Sequence, residues 1–480
     1  MRTPTSKLTL ALILLLALIW RVLLWAQPPH LPANDELEYV WVARDLIAGR
    51  GWALYANWPW LRAPLYPLFL AGSLWLAGGD LHMAALPNLA LSVGMVGLIY
   101  TLTRLLSPER RGAALLAAGL AAALQTYATF ASLYMSETLF ALLFGLGLLA
   151  LARWQQSDKI AWAALAGICS GLACLTRSAG LAFLPVAGLW LLGVALKRHG
   201  LQWRILLAPL ALALAAALTI APWTIRNCRA YGRCILIETG GSYNLWAFYE
   251  PDESLETIQH TLAQIANPAE RADLANQQGM AQLRADPLLI LRRVPVEWAG
   301  LWTVKPIEDR FLQADYYSDP SPGYFLSSLV LDDLLYVLIL CAAPLGLLLA
   351  RRNPFALLLG LWVVVFVVAG MLTHTEGRYR HFLFVVMIPL AAMAPGGRGA
   401  YDRTMRGPTL VSLAWIGLTL LPGLGAYPWE WASSGALRSI YRMQGDQLAA
   451  AGQVAEATRA YQAALDASRT PDGWIALGDL

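Results

Sequence analysis

"LTLALILLLALIWRVLLWAQPPHLPANDELEYVWVARDL", residues 8–46, runs an apolar stretch broken only by Arg21 into three carboxylates, Asp35, Glu36 and Glu38. A bilayer crossing needs about 20 apolar residues, and 8–26 meets that length. Arg2 and Lys7 precede the run and no small-x-small cleavage site follows it, so an uncleaved first span is expected rather than a signal peptide. Arg21, late in the span, snorkels or faces protein interior. The carboxylates just beyond are either solvated loop charge or part of a site at the membrane face.

The rest of the chain settles the class before it settles that question. Of 480 residues 58% are hydrophobic and only 14% charged. Soluble domains carry about 25% charged residues, so a soluble globular chain is excluded. Apolar runs mark eleven spans, near 8–26, 83–103, 113–132, 138–153, 160–176, 179–196, 205–223, 326–350, 355–372, 382–395 and 408–426. The net charge of +4 says little, but its placement says more. Arg104, Arg110 and Arg111, then Arg153 and Lys159, then Lys197, Arg198 and Arg204, then Arg351 and Arg352, then Arg398, Arg403 and Arg406 all fall on the side of Arg2 and Lys7. That is the positive-inside pattern, with a cytoplasmic N-terminus and the C-terminus outside. "APLYPLFLAGSLWLAGG", 63–79, is apolar but short, and as a span it would invert every later loop. It is therefore expected as a re-entrant or membrane-surface helix. Long outer segments are expected at about 27–82 and 224–325, the second with a small helical element.

Cys169, Cys174 and Cys341 lie in apolar runs and read as packing residues. Cys228 and Cys234 share the large outer loop, where a disulfide is one of two open readings. No zinc-type Cys/His spacing occurs. Residues 427–480 change character: Tyr441, Gly445, Leu448, Ala457, Tyr461, Ala464 and Pro471 resemble a tetratricopeptide repeat, and Trp474, Leu477 and Gly478 the start of another. An ordinary helical hairpin is the alternative. One and a fraction repeats bury no solenoid core alone, so packing on the membrane domain or on a protein partner is expected.

The expected outer ends of the spans collect ionisable groups. Asp35, Glu36 and Glu38 come from the first loop, Glu137 from "ASLYMSETLF", and Arg177 from "CLTRSAGL". "PWTIRNCRAYGR" adds Arg226 and Asn227, and "THTEGRYRHF" adds His374, Glu376, Arg378, Arg380 and His381. A carboxylate can take a proton from an incoming hydroxyl, and arginines bind phosphate bidentately and stabilise it as a leaving group. Taken singly, each residue is as well read as solvated charge or a lipid-headgroup contact.

Five segments in order resemble the GT-C integral-membrane glycosyltransferases, nearest the branch of protein O-mannosyltransferases and lipid A aminoarabinose transferases. They are "DELEYVWVARDLIAGRGW", "RAPLYPLFLAG", "MSETLF", "PWTIRNCRAYGRCILIETGGSYNLWAF" and "EGRYRHFLFVVMIPLAA". The likeness spans about residues 8–400. It implies an all-α GT-C fold over 1–426 and a polyprenyl-phosphate-linked monosaccharide as donor. It also implies Asp35 as general base toward the acceptor, with Glu36 orienting it or binding the acceptor. Arg177, Arg226, Arg378 and Arg380 are the candidate donor-phosphate contacts, with Tyr39, Asn227 and Asn244 beside them. Glu137 matches an acidic position that holds a metal in some members and contacts substrate or protein in others, so a divalent metal on Asp35 and Glu137 stays open. Glu38 has no counterpart and reads as loop charge.

The acceptor could be a glycan, lipid or protein, outside a bacterial inner membrane; no nucleic-acid partner is expected. A lipid-linked polysaccharide ligase or polymerase fits the same architecture. A transporter fits less well, since no two-fold repeat is evident and the charges cluster at span ends. A non-catalytic anchor for the C-terminal segment is a third alternative.

Overall fold

The computed structural model describes residues 4–26, 31–304, 322–395, 406–425, 427–468 and 471–478. Arg2, Arg398, Arg403 and the 305–321 part of the segment expected at 224–325 lie outside them. Among the described residues every regular element is helical. Among these residues seven helices are long and apolar enough to cross a membrane, and nine if two bent pairs each count once. This is a multi-pass membrane chain.

Each of the eleven expected spans carries helix among the described residues, but two of those helices are too short for the test. Ile160–Thr176 has 17 residues. Arg380–Ala391 has 12, or about 18 Å at 1.5 Å per residue, against a hydrocarbon core of about 30 Å. Every residue of Arg380–Ala391 is buried, so protein rather than lipid covers it. Hydropathy counts apolar residues and cannot tell a lipid-facing helix from one enclosed by others. Leu65–Leu76 is a separate 12-residue helix, as expected for the 63–79 run.

The third expected span is broken. Arg111–Ala123 and Gln125–Ser132 meet at 50° across Leu124. The last carbonyls of a helix lack intrahelical donors, and here Arg21 supplies them. It donates to the Ala122 and Ala121 oxygens at 3.3 and 3.4 Å, to Ala17 O at 3.1 Å and to Ser92 Oγ at 2.8 Å. Arg21 therefore faces protein interior and is fully buried.

Small residues set two close helix approaches. Gly167 and Gly171 let Ile160–Thr176 lie directly on the backbone of Leu207–Tyr231, where a Cβ would strike Leu212 and Thr219. A Cβ on Gly346 would overlap the Leu390 carbonyl, so Asp333–Ala350 seats the buried helix Arg380–Ala391. Such small-residue contacts replace the hydrophobic drive that lipid does not supply.

Arg110 reaches Met393 O at 2.8 Å and Asn353 reaches Leu106 O at 2.9 Å. Arg198 and His199 pair with Asp158 at 3.5 and 2.8 Å. The described basic loops thus share one end of the bundle, and the acidic first loop and Gly377–Tyr379 lie at the other. There Gly240–Ala247, Leu255–Ala263, Pro268–Ala285 and Leu289–Trp302 form the small helical element. Cys228 and Cys234 are disulfide-bonded. Trp429–Ala450 and Val454–Ala467 make a hairpin, Gly445 lying flat on the Tyr461 ring. Its first helix packs on Pro322–Ser327 through Phe325, 5.2 Å from the Trp431 ring. The likeness to a tetratricopeptide repeat rests on the sequence pattern alone.

Candidate active site

The helix Asp35–Ile47 begins with its three acids in the first turn, where the helix dipole favours negative charge. Asn34 precedes it at φ 52, a left-handed conformation that asparagine tolerates. The turn aims the three carboxylates in different directions, and each meets different chemistry.

Asp35 lies between two arginines. Its Oδ1 is 2.8 Å from Arg62 and its Oδ2 is 2.6 Å from Arg378. Arg62 also holds Glu38 through Nε at 3.0 Å, and Arg378 holds Glu376 through Nε at 2.7 Å. The result is an alternating row: Glu38, Arg62, Asp35, Arg378, Glu376. Trp60 donates its indole N–H to Glu38 Oε2 at 2.9 Å. Glu38 is fully buried, so it is not loop charge; its cation is Arg62, outside the acidic motif that drew attention to Asp35. Burial pushes the Glu38 carboxyl above its ordinary 4.5, Asp35 adds to the rise, and Arg62 pulls against both. Burial works against the charge on Arg62, but Glu38 and Asp35 outweigh it and raise its pKa well above the usual value.

Glu36 turns away from this row. It accepts the Tyr134 amide at 2.8 Å and the Ala33 amide at 3.4 Å, tying the "SLYMSE" turn to the first loop. That turn presents Ser136 and Glu137. Arg177 donates to both at 3.0 Å, and Tyr39 donates to Ser136 Oγ at 3.2 Å. The Arg177 guanidinium stands 5.3 Å from the Tyr379 ring centroid, and Arg378 stands 5.8 Å from it. Tyr379 thus separates the two arginine clusters.

Arg62 is held by its backbone neighbours. Leu61 N–H donates to Thr239 Oγ1 and Thr239 N–H to Leu61 O, both at 2.9 Å. Ala63 N–H donates to Glu238 Oε2 at 3.3 Å, while Glu238 Oε1 accepts Ser178 N–H at 2.9 Å. Glu238 therefore joins the Arg62 segment to the Arg177 segment.

Other expected candidates sit elsewhere. Arg380 is buried under the Tyr336 ring, 4.0 Å from its centroid, and donates to the carbonyls of Gly377 and Thr303. Its guanidinium braces the turn beneath Arg378. Arg226 donates to Tyr231 Oη at 2.8 Å and to Asn227 Oδ1 at 3.1 Å, and Asn227 donates to Ile235 O at 3.0 Å. That cluster shapes the disulfide-closed turn. Asn244 lies half-buried on Gly240–Ala247, next to Tyr243, whose ring is 4.6 Å from Trp60. Arg62 escapes the sequence reading, although it directly precedes the Ala-Pro-Leu-Tyr-Pro segment, and Glu38 reads there only as loop charge.

Among the described residues no three His, Cys, Asp or Glu side chains form a metal-ligand group. Asp35 is bracketed by Arg62 and Arg378 and Glu137 is paired with Arg177, partners that would repel a dication. This donor set does not fit a metal.

Residues 61–223 match the family model described as dolichyl-phosphate-mannose-protein mannosyltransferase. No curated protein is matched by sequence. Among solved structures, the Archaeoglobus fulgidus oligosaccharyltransferase AglB in complex with an inhibitory peptide and a dolichol-phosphate is 14% identical, with a TM-score of 0.52, over 91% of this chain and 58% of that one. The same archaeal enzyme in complex with Zn and sulfate is 16% identical, with a TM-score of 0.51, over 90% of this chain and 55% of that one. ArnT from Cupriavidus metallidurans in the apo state is 17% identical, with a TM-score of 0.47, over 99% of this chain and 78% of that one. The chain thus spans under two thirds of the archaeal chains. With residues 61–223 matching the mannosyltransferase family model and the bundle sharing the archaeal enzyme's architecture, the chain is a membrane protein of the GT-C fold.

Proposed function

We propose that the chain transfers a monosaccharide from a polyprenyl-phosphate-linked donor to an acceptor on the outer side of the membrane, with Asp35 as general base. The observation that carries the reading is the bracketing of Asp35, one oxygen on Arg62 and the other on Arg378. Two guanidiniums that converge on one carboxylate are spaced to hold two oxygens of a phosphate equally well. The matched mannosyltransferase family and the archaeal enzyme solved with a dolichol-phosphate support a lipid-phosphate donor.

In the reaction Arg62 and Arg378 turn from Asp35 to the donor phosphate. An oxygen of Asp35 takes the proton of the acceptor hydroxyl as the acceptor oxygen attacks the anomeric carbon. The bond from that carbon to the phosphate oxygen breaks, its electron pair stays on the polyprenyl phosphate, and the arginines stabilise the added charge. Attack opposite the phosphate inverts the anomeric centre. Arg177 and Glu137 line the same site, and Glu36 holds the turn that carries Glu137. The basic loops at the far end and the Cys228–Cys234 disulfide support an outward-facing site. The hairpin from residue 427 is an accessory piece that could hold a protein partner.

The test is incubation of purified protein with radiolabelled polyprenyl-phosphate sugars and an envelope membrane extract. Label should move to an extractable acceptor. Asp35→Asn should lose at least about 1,000-fold of that transfer while keeping the wild-type melting profile. Flux across liposomes without transfer would refute the enzyme, and full activity in Asp35→Asn would refute Asp35 as base.

A further inference from the structure

The outer helix Leu289–Trp302 reaches the candidate site through one buried side chain. Glu297 is 2% exposed. Its Oε2 accepts the Thr375 amide at 2.6 Å and the Thr375 hydroxyl at 3.1 Å, and its own carbonyl accepts that hydroxyl at 2.6 Å. Arg293, one turn earlier, lies 2.5 Å from Oε1. His374 Nδ1 lies 3.3 Å from Oε2, and the other ring nitrogen lies 3.7 Å from Glu376 Oε1. Glu376 in turn holds Arg378, and Arg378 reaches Asp35. The imidazole is fixed from the side by the Phe248 ring, stacked at 3.6 Å.

We propose that Glu297 and His374 are positioning residues: they hold the turn 373–376 so that Glu376 orients Arg378 for the donor phosphate. This rests on the reading of Arg378 as a phosphate ligand. Neither residue touches Asp35. Their effect passes through the His374–Glu376 contact, which is strong only while the imidazole carries a proton between two carboxylates.

The groups against His374 are Glu297 from Leu289–Trp302, Glu376 from its own loop and the Phe248 ring, with Arg293 held on Glu297 and Arg378 on Glu376. Burial works against the charged imidazole, but Glu297 and Glu376 outweigh it and raise its pKa above 6.5. The contact is therefore intact at lower pH and is lost as pH rises through the raised value. Donor affinity follows it and weakens on the alkaline side.

The experiment uses the full chain in detergent micelles, comparing wild type, Glu297→Gln and His374→Gln. Glu297→Gln keeps the shape but removes the charge that holds the His374 proton. It should raise the donor KM on the order of ten-fold with kcat within about two-fold, and move the alkaline limb of kcat/KM to lower pH. His374→Gln should abolish that limb. An unchanged limb in His374→Gln overturns the proposal even if Glu297→Gln fails to fold. The imidazole titration, followed by NMR with labelled histidine, needs no turnover. Its midpoint should fall in Glu297→Gln, and an unchanged midpoint overturns the coupling. If wild type transfers no sugar yet the midpoint falls, the function reading fails while the Glu297–His374 coupling stands.

Discussion

Removing the Arg62 charge should make stability depend on pH in a way that exposes Glu38. Arg62→Met leaves Glu38 fully buried, with Trp60 still donating to it and Asp35 as a repelling neighbour. Stripping one partner from a buried pair costs about 3–5 kcal/mol when the other charge stays. Glu38 escapes by taking a proton. From an ordinary value of 4.5, that costs about 1.4 kcal/mol per pH unit, or about 3.4 kcal/mol at pH 7. The loss is therefore capped near 3 kcal/mol at pH 7 and falls below about 1 kcal/mol at pH 5. The sign follows from a folded carboxyl whose pKa lies above the unfolded one: destabilisation grows as pH rises. Denaturant titrations of wild type and Arg62→Met at half-unit steps from pH 5 to 7.5 give the curve. Glu38→Gln added to Arg62→Met should recover most of the loss at pH 7 and flatten the dependence. A pH-independent loss, or a double variant no better than the single, would refute the buried pair as the cause.

Two further substitutions separate roles that look alike in sequence. Arg378→Lys, which cannot bridge Asp35 and Glu376 as a planar fork, should raise donor KM on the order of ten-fold at nearly unchanged stability. Arg380→Lys should instead lose about 2–3 kcal/mol in denaturant titration and raise donor KM less than Arg378→Lys does, since Arg380 braces backbone carbonyls under Tyr336 and reaches Arg378 only through that turn. Gly346→Leu should prevent the seating of Arg380–Ala391 on Asp333–Ala350, lowering the yield of folded protein in size-exclusion profiles far more than Gly94→Leu, where the added Cβ meets open space.

The helical plan was legible because apolar length and loop charge are local signals. Each of the eleven runs carries a helix among the described residues, and the basic loops that are described share one end. Span count was less legible, because enclosure by neighbours is a tertiary property; Arg380–Ala391 is as apolar as a span and half its length. Within the site, Asp35, Arg378, Glu137 and Arg177 could be gathered from motifs at span ends. Arg62 and Glu38 could not, since only the fold shows that residues 61–63 are clipped to Glu238 and Thr239. Arg226 and Arg380 have the same charge and the same sequence setting as Arg378. They differ in which oxygen atoms lie nearby, and no sequence pattern carries that.

The enclosed helix Arg380–Ala391 also bears on biogenesis. A 12-residue segment cannot hold itself across hydrocarbon while it leaves the ribosome, so insertion one helix at a time offers it no stable position. It settles only when the surrounding helices have closed around it. The Gly377–Tyr379 turn at its head, with Arg378, is placed by the same event. The two arginines that bracket Asp35 therefore meet late in maturation, and a chain caught before closure carries Arg62 beside Asp35 without its second cation.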